Sequence, residues 1–130
     1  MNSEDAQPKR GDVWRVDFDP TVGTEIRKTR PAIVISSDSV GKLPIKLVAP
    51  VTGWKDAFAD NLWHVRIEPD DLNGLLKTSA VDTLQIRGVD TTRFVTRLGS
   101  VSSAVLEEIG AAIVAVIEFD FENVATPRGN

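Results

Sequence analysis

Residues 11–36 read GDVWRVDFDPTVGTEIRKTRPAIVIS, and the fold turns on how that stretch is parsed. Trp14, Val16 and Phe18 alternate with Val13, Arg15 and Asp17. That period of two makes a strand with its aromatic set facing inward. Asp19-Pro20 and Gly23 then break the ladder, because proline has no amide donor and glycine tolerates positive φ. A second strand begins at Pro31, and residues 32–35 run apolar without alternation, as in a strand covered on both faces. Gly23, Thr24, Glu25, Arg27, Lys28 and Arg30 stand between the two strands. Polar and charged groups held between two apolar walls suit an anionic polymer.

Further strands follow outward from this hairpin. Residues 45–51 form a third, with Pro50 expected at an edge or bulge, and Thr52-Gly53 opens a polar connection toward Trp63. Trp63, Val65 and Ile67 alternate with His64 and Arg66 in a fourth. Residues 69–72 read as one helical turn with Asp70 or Asp71 near its start, residues 80–86 as a strand, 90–94 as a turn and 95–99 as a last strand. Ser102 or Ser103 caps one helix, with Glu107 and Glu108 expected in its first turn. Leu106, Ile109, Ile113, Val116 and Ile117 form its apolar stripe, but Gly110, Ala111, Val114 and Ala115 leave it nearly apolar all round, which fits either burial on two sides or a subunit contact, the latter preferred. Short, closely spaced strands with one terminal helix predict an α+β fold, mainly β, built as a small barrel.

The 130 residues fit one domain, expected over residues 10–121 between a flexible arm at 1–9 and a flexible tail at 122–130. No apolar run is long enough for a membrane span, and residues 1–10 are polar, so the expected location is the cytoplasm. The absence of cysteine excludes disulfide and thiolate chemistry, and a single histidine excludes a multi-histidine metal site. A net charge of −4 argues against nonspecific nucleic-acid binding, which needs Lys and Arg at the phosphates. The distribution reverses that reading: Arg27, Lys28 and Arg30 lie together, and Arg87, Arg93 and Arg97 cluster later.

The GD-x-W-x-V-D-F-D-P opening, the G-[ST]-E segment at residues 23–25 and K-x-R-P-A-x-V-I-S from Lys28 resemble the MazF/PemK family of toxin endoribonucleases. The likeness continues through Val51-Thr52-Gly53, Gln85-Ile86-Arg87 and Val89-Asp90. It implies an SH3-like barrel of the CcdB/PemK type, usually a homodimer, that cuts single-stranded RNA without a metal or other cofactor. An acidic, MazE-like antitoxin would silence it. The implied products end in 2′,3′-cyclic phosphate and 5′-hydroxyl.

Cleavage through the 2′-hydroxyl needs a proton acceptor, donors for the phosphorus oxygens and a proton for the departing 5′ oxygen. Arg30 has the guanidinium fork for phosphate, and Pro31 holds it in extended backbone at the strand entrance. The resemblance makes Thr52 its catalytic partner and places Thr24 and Glu25 along the RNA groove. Glu25 either accepts the 2′ proton or organises Arg27 or Arg30, and the organising role is the preferred one. Arg27 and Lys28 are expected at phosphates, and Trp54 against a base. On one strand face, Gln85 and Arg87 would meet a base edge and a phosphate, or else pair across the barrel. Many relatives carry an acid just before this glutamine, where this chain has Leu84, and Asp82, on the same face of an extended strand, is the possible substitute base. His64 alone titrates near neutrality, though the family motif does not call for it. Two other readings compete: a CcdB-like gyrase poison, against which the polar end at residues 125–130 weighs, and a noncatalytic binding barrel.

Overall fold

Alternation along residues 12–17 builds β1 (Asp12–Asp17), and β2 (Thr29–Val34) pairs with it antiparallel, Val13 opposite Ile33 and Val16 opposite Arg30. The computed structural model describes residues 7–41, 43–120 and 122. β3 (Ile45–Gly53), β4 (His64–Ile67), β5 (Ser79–Asp82), β6 (Arg87–Asp90) and β7 (Phe94–Ser100) complete a seven-stranded sheet ordered β4-β5-β3-β2-β1-β7, with β6 beside the first half of β3. Every strand pairing is antiparallel. The path ends at β4 and β7, so the expected barrel is realised as an open sheet followed by one helix, α1 (Ser103–Val116).

The central strands are apolar on both faces because each face has its own core. Trp14, Val16, Phe18, Ala32, Val34, Val48 and Val89 fill one. Val13, Ile33, Ala49, Val51, Val65, Val81 and the helix residues Ile109 and Ala112 fill the other. Ile109 is 1% exposed, and burying such a side chain contributes about 1.5–3 kcal/mol. Val13, read as facing away from the aromatic set, is therefore buried too, under the helix side.

Several local expectations change. Pro50 lies in a central strand and is fully buried, yet it falls where β3 has left β6 at Val48 and not yet met β5 at Val51. A residue without an amide donor is cheapest at such a break in a ladder. The strand read over residues 80–86 stops at Asp82, whose Oδ1 accepts from the Leu84 amide at 3.0 Å and starts a 3-10 turn, Thr83–Gln85. Ser102 caps α1 through the Val105 amide, which moves Glu107 and Glu108 out of the first turn. Trp63 is only half-buried.

Of the arm read at residues 1–9, residues 1–6 lie outside the described part, whereas Pro8 is buried and the Lys9 amide donates to Asp12 Oδ2 at 2.9 Å. The tail, apart from Glu122, also lies outside it. Among the described residues no helix is long and apolar enough to cross a membrane.

Candidate nucleic-acid interface

The loop joining β1 to β2, residues 18–28, organises itself locally. The Phe18 amide donates to the Lys28 carbonyl, and the Lys28 amide, at φ 70°, donates to Asp19 Oδ1. Glu25 closes the tip twice: its amide donates to the Val22 carbonyl, and its Oε1 accepts from the Val22 amide. Gly23, at φ 60°, allows the turn. Glu25 therefore shapes the loop through backbone and makes no ion pair with Arg27 or Arg30, the arginines it was expected to organise. Arg27 Nη2 donates to the Gly23 carbonyl at 3.3 Å, and Arg30 Nε to the Arg27 carbonyl at 2.9 Å. Among the described residues, that last bond leaves both terminal nitrogens of Arg30 without a hydrogen-bond partner.

Two clefts flank the loop. The narrower, about 180 Å³, is lined by Thr29, Arg30, Pro31, Thr52, Gly53, Lys77 and Ser79. Arg30 and Thr52 both line it, and so does a second cation, Lys77, which the sequence reading did not single out. Lys77 makes no ion pair among the described residues. A Cβ on Gly53 would lie 3.1 Å from Lys77 Nζ, so the missing side chain makes room for the ammonium. The signal for Lys77 was not in its neighbours but in the pairing of Gly53 with Ser79. No carboxylate or imidazole lines this cleft.

The wider cleft, about 400 Å³, is lined by Phe18, Thr24, Glu25, Ile26, Pro50 and residues 84–87. It gathers Thr24, Glu25, Gln85 and Arg87, though not through one strand face, since Gln85 sits in the 3-10 turn and Arg87 begins β6. Gln85 Oε1 accepts from the Ile26 amide at 2.7 Å, and Gln85 Nε2 donates to the Thr24 carbonyl at 3.1 Å. Arg87 donates to the Phe18 carbonyl at 3.2 Å with its guanidinium 5.7 Å from the Phe18 ring centre. Arg93 donates to the Asp17 and Asp19 carbonyls, and Arg97 pairs with Asp12 at 3.3 Å. The later arginines brace β1 and its loop.

Asp82 lines neither cleft. It is buried, its Oδ1 holds the Leu84 amide, and its Oδ2 lies 3.7 Å from His64 Nε2. The expected extended geometry that would have aligned it with Leu84 is replaced by the turn. His64 Nδ1 faces the Asn61 amide nitrogen at 3.1 Å, which places the ring proton on Nε2 toward Asp82. Burial lowers the His64 pKa below its usual 6.5, against the opposing attraction of Asp82. His64 stacks on Phe58 at 3.9 Å, Phe58 meets Trp54 edge-on at 5.9 Å, and Arg66 lies 5.1 Å from the Trp54 ring centre. Trp54 thus already has ring partners within the chain.

An open antiparallel sheet with a C-terminal helix and a braced hairpin loop beside a cleft lined by Arg30 and Lys77 defines a small α+β domain. The chain belongs to the PemK-like, MazF-like toxin family of type II toxin-antitoxin systems, whose model matches residues 9–117. It is 30% identical over 117 residues to Endoribonuclease MazF9 of Mycobacterium tuberculosis, covering 81% of this chain and 92% of that protein. It is 34% identical over 106 residues to Endoribonuclease MazF of Staphylococcus saprophyticus, covering 81% and 87%. In fold it is similar to MazF from Deinococcus radiodurans, with a TM-score of 0.70 at 23% identity over 86% of this chain and 97% of that one. A mycobacterial endoribonuclease solved in complex with its cognate antitoxin has a TM-score of 0.69 at 17% identity, covering 88% and 98%.

Proposed function

We propose that the chain is the toxin of a toxin-antitoxin pair, a metal-independent, sequence-selective endoribonuclease that cuts single-stranded RNA in the cytoplasm. The observation that carries this reading is the convergence of Arg30, Thr52 and Lys77 on one small cleft beside the loop. The free fork of Arg30 and the Lys77 ammonium neutralise the phosphorus oxygens, and the Thr52 hydroxyl donates to one of them. The 2′-hydroxyl attacks phosphorus as its proton passes to a carboxylate. Glu25 lines the neighbouring wider cleft and, with one oxygen on Val22 and the other unbonded among the described residues, is the carboxylate that the loop offers to RNA spanning the two clefts. The 5′ oxygen leaves with a proton from Lys77, so the products are a 2′,3′-cyclic phosphate and a 5′-hydroxyl. RNA flanking the scissile phosphate runs through the wider cleft past Thr24 and Arg87, with Arg27 and Lys28 at its backbone and Trp54 at a base.

The partner is an antitoxin, in line with the mycobacterial endoribonuclease solved with its cognate antitoxin, and charge complementarity makes its segment over these cations an acidic one. A homodimer accounts for exposed apolar side chains that the fold leaves uncovered. Ile45 and Leu47 lie on the helix-side face of β3, beyond the reach of α1, and are 45% and 40% exposed, with Leu43 beside them. The gyrase reading turned on residues 125–130, outside the described part, and family membership favours the nuclease over both alternatives.

The test is a long defined RNA incubated with the purified protein in excess chelator, with cut positions and end chemistry mapped beside Arg30→Ala. Discrete cuts with cyclic phosphate ends, lost in the folded variant, are expected. Intact RNA, or cuts retained by Arg30→Ala, would overturn the assignment.

A further inference from the structure

We infer that Gln85 is a positioning residue, a two-point latch that holds the β1–β2 loop and, through the Arg27 carbonyl, aims Arg30. Its kinetic part rests on the nuclease reading above.

Gln85 and the loop are about sixty residues apart in sequence, 59 to Ile26 and 61 to Thr24, so neither bond is a local consequence of chain direction. Both functional atoms of the carboxamide are used. The oxygen takes the Ile26 amide and the nitrogen takes the Thr24 carbonyl, so one side chain pairs with the loop backbone as an adjoining strand would. The other hydrogen bonds around the loop tip, between Val22 and Glu25 and between Gly23 and Arg27, are internal to it and cannot fix its place on the body of the protein. Arg87 and Arg93 hold only its first residues, through the Phe18, Asp17 and Asp19 carbonyls. At the tip the long-range ties are Gln85 and the packing of Ile26 on the aromatic-side core.

The next residue after Ile26 is Arg27, whose carbonyl accepts from Arg30 Nε. The order of dependence is therefore Asp82, which caps the turn; Gln85, carried by that turn; the Thr24–Ile26 backbone; the Arg27 carbonyl; and the Arg30 fork. Gln85 lines the wider cleft and Arg30 the narrower, so Gln85 acts on Arg30 without sharing its cleft. With both amide atoms engaged, Gln85 keeps one N–H and one oxygen lone pair for any contact beyond the loop. A base reader and a latch differ in consequence: losing the first changes which sequences are cut, losing the second slows every cut.

Gln85→Leu removes both bonds at similar volume, and Gln85→Glu keeps an acceptor for Ile26 while setting an oxygen against the Thr24 carbonyl. Amide exchange at Ile26 and side-chain Nε–H exchange at Arg30, read by NMR, report the tether whether or not the protein cuts RNA. Both are expected to quicken in Gln85→Leu, by roughly 10-fold at Ile26. Single-turnover cleavage is expected to fall uniformly across cut sites, in kcat rather than KM, with an unchanged cut-site sequence. Unchanged exchange at Ile26 and Arg30, or an altered cut-site preference at normal rate, would overturn the latch. If Gln85→Leu fails to fold, Gln85→Glu decides, and quickened Arg30 exchange in it is the supporting result. Should the wild-type protein leave RNA intact, the nuclease reading fails alone, and the exchange data still decide the latch.

Discussion

Arg30→Lys tests the geometry of the proposed cleft more sharply than removal of the side chain, because it keeps the charge and changes only its shape. Arg30 spends Nε on the Arg27 carbonyl and retains two terminal nitrogens for the phosphate. A lysine at this position has one ammonium, which cannot hold that carbonyl and also present two parallel donors. The loss is about one charge-assisted hydrogen bond, roughly 1.5–3 kcal/mol, or about 10- to 100-fold in rate. Arg30→Ala also loses the charge and is expected to fall by about 10²- to 10³-fold or more, as for removal of an oxyanion donor. Arg30 is half-buried at the entrance of β2, so neither change opens a core cavity, and both variants should melt close to the wild type. The assay is single-turnover cleavage of a defined single-stranded RNA, with thermal melting as the control for folding. Cleavage by Arg30→Lys within about threefold of wild type would refute the fork.

Lys77→Met is expected to slow cleavage by about 10-fold or more at unchanged stability, since it removes a cation with no ion pair among the described residues; Gly53→Ala, whose new Cβ meets only the flexible end of Lys77, should slow it less. Leu47→Glu places a charge on the uncovered apolar face of β3 and should turn a dimer into a monomer by light scattering, with retained near-ultraviolet circular dichroism. Stability should fall as pH drops below about 6.5. His64 has a folded pKa below its unfolded 6.5, so in that window the unfolded chain binds more protons. His64→Gln should flatten this part of a melting-temperature profile. Asp90, held low first by the Thr92 amide, stabilises above its unfolded 3.8 and loses that contribution only as pH falls further, so the windows separate.

The hairpin was legible because two independent signals agreed on it. Alternation marked β1, and the Asp19-Pro20, Gly23 and Pro31 breaks bounded the loop, which left Arg30 at a strand entrance. Thr52 was read from family likeness, and the antiparallel register of β2 with β3, Ala32 opposite Pro50, brings it toward Arg30. Gln85 and Arg87 were found but given the wrong geometry. An apolar run at residues 80–86 satisfies a strand pattern, and only the capping bond from Asp82 to the Leu84 amide reveals the turn. Lys77 stayed hidden because the pairing of Ser79 with Gly53 is what brings it to the cleft, and no local pattern encodes that pairing. Pro50 was expected at an edge or bulge but lies in a central strand opposite Ala32, between the residues that pair with β6 and those that pair with β5, since a sequence does not show that a central strand changes partners midway.

Asp82 is where the two accounts separate most cleanly. Read as part of a strand, it replaced the acid that relatives carry beside Gln85. In the fold, its carboxylate caps the turn and faces His64, away from both clefts. A base must lose function when its carboxylate becomes an amide; a cap need not, because an asparagine oxygen still accepts from the Leu84 amide. Asp82→Asn is therefore expected to cut RNA at close to the wild-type rate. Asp82→Ala should lose about 0.5–2 kcal/mol of stability with the cap and also slow cleavage, since the turn it holds carries Gln85. Rates and melts of the two variants side by side decide the matter. A stable Asp82→Asn protein without nuclease activity would restore Asp82 as the base, and would mean that the loop and turn rearrange on RNA to bring it to the 2′-hydroxyl.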